Sequence, residues 1–130
     1  LFLDEPTAGL DPEERMRFKN SISQIREGRL ILLSTHIVDE VEAVCDSIAV
    51  MREGRFAACG SCQEIRQIAQ NKVYIVPEKS CAEIDGRYHI QKNFEAAGVP
   101  MLRILCEKPQ NASAEEPTIE DGYLCALKNI

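Results

Sequence analysis

The chain has 130 residues, with 15 Lys and Arg against 21 Asp and Glu, for a formal net charge of −6 at pH 7. Its 45% hydrophobic fraction supports a packed core and argues against wholesale disorder. The acidic balance argues against non-specific nucleic-acid binding, which needs a basic footprint. No apolar run approaches the ~20 residues of a membrane-spanning helix.

Leu1–Leu3 is apolar and stops at Asp4-Glu5-Pro6, the pattern of a buried strand ending in acids and a proline. A chain that opens inside a strand is expected to be a piece of something longer. Thr7–Leu10 reads as a short loop containing Gly9. Asp11-Pro12-Glu13-Glu14 is a helix start, with Asp11 as N-cap and Pro12 at the first helical position. Phe18, Ile22 and Ile25 follow at helical spacing, and Gly28 marks the stop. Leu30–Leu33 is a second apolar run, predicted as a second buried strand, and ends in Ser34-Thr35-His36. Val38, Val41 and Val44 predict a short helix with Asp39 and Glu40 near its start. Ser47–Met51 and Phe56–Cys59 flank Arg52-Glu53-Gly54-Arg55 and read as a hairpin. Ser61 starts a helix to about Ala69. This order predicts an α/β fold with parallel central strands and helices on the faces.

After Asn71 the character changes, and a boundary is placed at residues 71/72. Val73–Val76, Arg87–Gln91 and Met101–Cys106 are strand-like. Lys108–Pro117 is polar and reads as a flexible loop, and Thr118–Leu127 as a final helix. The expected organisation is therefore a first domain over 1–71 and a small α+β domain over 72–130. The six cysteines (45, 59, 62, 81, 106, 125) lie mostly in apolar segments, where a reduced thiol acts as a small hydrophobe. Cys59 and Cys62 alone are closely spaced, and a structural zinc site would need a second such pair.

Two strand ends carry the chemistry. In α/β sheets ligands gather at the carboxyl ends of the strands. Two adjacent acids there can divide labour: one holds Mg²⁺ and the other orients or deprotonates a water. Asp4-Glu5 stand at such an end, although an acidic turn alone is common. His36, beyond the second strand, can contact a phosphate oxygen or polarise the same water. Polar ends on two strands of one sheet point to a convergent site.

These residues carry a resemblance. Leu1-Phe2-Leu3-Asp4-Glu5-Pro6-Thr7-Ala8-Gly9-Leu10-Asp11-Pro12 resembles the Walker B strand and D-loop of an ABC-transporter ATP-binding subunit. Leu32–Glu42 resembles that family's switch-histidine loop, Asp46–Arg55 the hairpin after it, and Gly60–Ile65 the next helix start. The likeness runs through residues 1–70 in unbroken order, and three ordered motifs are more specific than any one. It implies ATP and Mg²⁺ as cofactors, with Asp4 binding Mg²⁺ through water, Glu5 as general base and His36 at the γ-phosphate. It further implies that Ala8, Gly9, Leu10 and Asp11 meet a second ATP-binding subunit, that the partners are membrane-spanning subunits and not nucleic acid, and that the chain sits on the cytoplasmic face of the membrane. Glu116–Leu124 is similar to the run that often ends export-type subunits.

The chain departs from the family in two motifs. No Gly-x-x-x-x-Gly-Lys-[Ser/Thr] phosphate loop and no Leu-Ser-Gly-Gly signature occur in these 130 residues. Positioning and electrostatics supply nearly all phosphoryl-transfer catalysis, so the chain alone is expected to hydrolyse ATP negligibly. Two alternatives stand beside the transporter reading: a soluble ABC-type ATPase of translation or repair, against which the short, non-basic tail leans, and a truncated interaction protein without activity.

Overall fold

The computed structural model describes all 130 residues, which divide into two compact units, Leu1–Asp46 and Ser47–Ile130.

In the first unit, β1 (Phe2–Asp4) and β2 (Leu32–Ser34) lie side by side in parallel, with Phe2 opposite Leu32 and Asp4 opposite Ser34. Helix α1 (Pro12–Ile25) connects them. It starts on a capping box: the Asp11 carboxylate accepts from the Glu14 amide at 2.9 Å, and the Glu14 carboxylate accepts from the Asp11 amide at 3.1 Å. Proline at the first turn has no N–H to leave unpaired there, so the sequence signal and the structure agree. Gly28, at φ 68°, turns the chain after the helix. Helix α2 (Val38–Val44) follows β2.

The two strands were expected to be buried, and the structure corrects this. Phe2 is 81% exposed, Leu30 85% and Leu32 59%. Each strand has a single neighbour, and Leu3 and Leu33 are half-buried while the residues on either side face outward. Ile22 of α1 is the buried hydrophobic residue of this unit.

The second unit opens with the hairpin of β3 (Ser47–Arg52) and β4 (Arg55–Ser61), closed by Glu53 and Gly54, both at positive φ. Two left-handed residues give a turn whose twist matches the strands, and Glu-Gly supplies them. Helix α3 (Cys62–Gln67) begins on a Ser61–Glu64 capping box. A three-stranded antiparallel sheet then forms in the order β5 (Val73–Pro77), β7 (Val99–Cys106), β6 (Tyr88–Ala96). A short 3-10 helix over Glu78–Glu83 follows β5.

Alternation along β7 builds the core on both faces. Leu102, Ile104 and Cys106 join Tyr74 and Val76 on one face; Leu105 joins Val73, Ala69 and Cys125 on the other. Each fully buried aliphatic chain contributes about 1.5–3 kcal/mol. Helix α4 (Ile119–Lys128) supplies Cys125 and starts on a Thr118–Asp121 capping box. It lies so close to α3 that a Cβ on Gly122 would fall 1.8 Å from the Ile65 carbonyl oxygen. The Arg52 guanidinium donates to the Ala126 carbonyl at 3.3 Å near the end of α4.

The carboxylate of Asp121, fully buried, takes two hydrogen bonds from Arg103, at 2.6 and 2.8 Å. Gln91 accepts from the same guanidinium. Gln91 is the extra residue of a bulge in β6, where Ile90 faces Ile104 and Lys92 faces Arg103. The polar run Lys108–Pro117 is tied down: Ala114 bridges antiparallel to Tyr74, and the Glu115 amide donates to the Val73 carbonyl at 2.7 Å. No helix is long and apolar enough to cross a membrane.

Candidate functional site

Parallel pairing in register brings the ends of β1 and β2 together. Asp4 stands opposite Ser34, and the Ser34 hydroxyl donates to the Asp4 carboxylate. The ladder continues one step beyond the strands, where the Glu5 amide donates to the Ser34 carbonyl at 2.8 Å. There the chain bends. Glu5 takes φ 45°, a left-handed conformation that costs a residue with a Cβ about 1 kcal/mol or more.

That bend turns the Glu5 side chain toward β2. Its Oε1 lies 3.0 Å from Nδ1 of His36, two residues past the end of β2. The other oxygen, Oε2, is buried and has no hydrogen-bond partner within the chain. The imidazole is 75% exposed, so it is open to a ligand on its other side. Asp4, Glu5 and His36, separated by about thirty residues of sequence, thus meet at one corner.

Beyond Glu5 the chain makes two successive turns, from the Ala8 amide to the Glu5 carbonyl (3.1 Å) and from the Leu10 amide to the Thr7 carbonyl (3.2 Å). Gly9 takes φ 77° within them. Ala8, Gly9, Leu10 and Asp11 lie on this stretch, three of them exposed or half-exposed and Asp11 engaged in capping α1.

Two residues of the corner were not singled out from the sequence. Thr7 and Glu40 are both buried, at 2% and 6% exposure, and the Thr7 hydroxyl donates to Glu40 Oε2. A signal existed: Ile37, Glu40, Val41 and Val44 share one helical face, so Glu40 interrupts an apolar stripe. No group of three or more His, Cys, Asp or Glu side chains is arranged to hold a metal ion unaided.

Known proteins resemble parts or most of this chain. No family model matches the chain. The uncharacterized ABC transporter ATP-binding protein YxlF of Bacillus subtilis is 30% identical over 122 residues, 94% of this chain and 38% of that protein. ABC transporter A family member 5 of Dictyostelium discoideum is 32% identical over 119 residues, 90% of this chain and 7% of that protein. The chain is homologous to ATP-binding proteins of ABC transporters. ATP-binding cassette sub-family A member 7 of Rattus norvegicus is 45% identical over 67 residues, 51% of this chain and 3% of that protein. The chain thus spans well under half the length of these ABC relatives.

Proposed function

We propose that this chain is the C-terminal part of the ATP-hydrolysing subunit of an ABC transporter, of the export type, with residues 1–71 completing the nucleotide-binding domain and 72–130 forming an accessory domain. One observation carries the reading: the Glu5 carboxylate stands 3.0 Å from the His36 imidazole at the paired ends of two parallel strands. An acid and an imidazole in that arrangement can hold one water between base and phosphate. Glu5 is the general base and His36 contacts the γ-phosphate. The match of the ABCA7 relative over 67 residues is about the length of the proposed first domain.

Asp4 is assigned to Mg²⁺, and the residues fit such an ion. Mg²⁺ keeps several waters and takes one or two carboxylates plus substrate phosphates, so no cage of protein ligands is needed. Asp4 is exposed, and only one of its oxygens is engaged by Ser34. The unpartnered Oε2 of Glu5 beside it is an acceptor suited to a water. When bound, the ion neutralises charge developing on the phosphates.

Ala8, Gly9, Leu10 and Asp11 are proposed to meet a second ATP-binding subunit, and membrane-spanning subunits on the cytoplasmic face to receive the motion. The test is Glu5→Gln in a chain extended to include a phosphate loop. ATP stays bound while turnover falls by roughly two to four orders of magnitude, the range of general-base effects. Unchanged turnover removes Glu5 from its role. The 130-residue chain alone should show no turnover above background.

A further inference from the structure

We propose that Glu40 is a positioning residue that, through Thr7, holds the strained turn carrying Glu5 against the helix that follows His36. The inference rests on the reading of Glu5 and His36 as a working pair and adds a residue that reading does not use.

The geometry is a closed loop of contacts. Glu5 leaves β1 in a left-handed conformation, and such strain persists only where the surroundings over-determine it. The turn it starts runs to Leu10 and is pinned at two points. Near its start, the buried Thr7 hydroxyl donates to Glu40 Oε2. At its end, Nε of Arg15 donates to the Leu10 carbonyl at 3.1 Å. Glu40 and Arg15 close the loop, with Oε1 of Glu40 3.5 Å from that same Nε. Three elements are thereby joined: the Glu5 turn, α1 through Arg15, and α2 through Glu40. Since α2 begins two residues after His36, the clamp fixes the separation of Glu5 and His36 from behind.

A buried carboxylate is costly to keep, and Glu40 Oε1 has an ion-pair neighbour but no hydrogen bond. A glutamate whose only task was to fill the apolar face of α2 would be better replaced by leucine. Its charge is explained by what it grips.

Amide hydrogen exchange on the 130-residue chain tests this without ATP. Thr7→Val deletes the donor at nearly constant volume. Exchange at the Glu5 and Ala8 amides should rise about tenfold or more, as loss of a hydrogen bond to a charged group implies. The amides of Arg26 and Cys45, in the same unit, should stay unchanged. Glu40→Ala should act like Thr7→Val, while Thr7→Ser and Glu40→Gln, which keep a donor and an acceptor, should restore slow exchange. If Glu40→Ala speeds exchange throughout Leu1–Asp46, Thr7→Val decides. No rise at Glu5 and Ala8 in Thr7→Val, or an equal rise at Arg26 and Cys45, overturns the clamp. In a chain extended to include the phosphate loop, Thr7→Val should lower kcat with KM for ATP unchanged; an unchanged kcat overturns the positioning role. Failure of the exchange arm leaves the assignment of Glu5 standing, and failure of Glu5→Gln leaves the clamp standing, so the two claims are separable.

Discussion

Removing the Asp121 carboxylate should strongly destabilise the second unit. Asp121 is fully buried and Arg103 retains 18% side-chain exposure. The carboxylate takes two hydrogen bonds from that guanidinium and one, at 2.8 Å, from the Thr118 amide that opens α4. Asp121→Ala leaves the Arg103 charge sequestered with only Gln91 as acceptor, and breaking a buried pair from one side costs about 3–5 kcal/mol. The cap on α4 is lost with it, an effect of about 1 kcal/mol that overlaps rather than adds. For a unit of this size each kcal/mol is worth roughly 4–8 °C, so the melting temperature should fall by more than about 10 °C. Urea unfolding followed by circular dichroism measures the loss. The double replacement Arg103→Met with Asp121→Leu should be less damaging than Asp121→Ala, because no charge is then stranded. A loss below about 1 kcal/mol for Asp121→Ala, or a double variant worse than the single, would refute the reasoning.

The same residue sets an acid limit. Burial pushes the Asp121 carboxyl up, but the Arg103 hydrogen bonds, the Thr118 amide, the Arg103 charge and Gln91 outweigh it and hold the pKa below the ordinary 3.8. Its stabilising contribution is complete above that value and is lost as pH falls through the lower, folded one, so acid titration of Asp121→Asn should show a flatter stability profile below about pH 4. Gly122→Ala forces α3 and α4 apart and should cost about 1–3 kcal/mol in the same urea assay. Asp11→Ala should cost the first unit about 1 kcal/mol by removing the α1 cap, read as faster exchange at the Glu14 amide. Burial pushes the Cys106 thiol up to about 11, so at pH 8 a maleimide should label exposed Cys59 quickly and Cys106 only on unfolding.

Much of this was legible where a local rule and the tertiary structure agree. The Asp11-Pro12-Glu14 and Ser61–Glu64 caps are written within four residues each, and both helices start there. The convergence of Asp4, Glu5 and His36 followed from two apolar runs ending in polar clusters, since in-register parallel strands place such ends side by side. What escaped is non-local. A strand expected to stop at Gln91 continues to Ala96, because the bulge there shifts the alternation: His89 is half-buried before it, Gln91 within it and Phe94 after it. Glu40 read only as an acid near a helix start, because its partner Thr7 lies thirty-three residues earlier. The pairing of Arg103 with Asp121 likewise has no local pattern. Leu30 and Leu32 read as buried because apolar runs in α/β sheets usually are. In this chain each of the two strands has one neighbour only.

Neighbouring residues at the start of α4 are aimed at different objects. Gly122 lets the helix backbone rest on α3, and Asp121 reaches across to β7. The first sets depth and the second sets azimuth, as a key is seated by both its blade and its bit. Sliding the helix by even one residue would wedge a side chain against the Ile65 carbonyl and withdraw the acid from Arg103 together. The tail therefore has a single seating, and a protease cutting the preceding loop should leave both pieces travelling as one body.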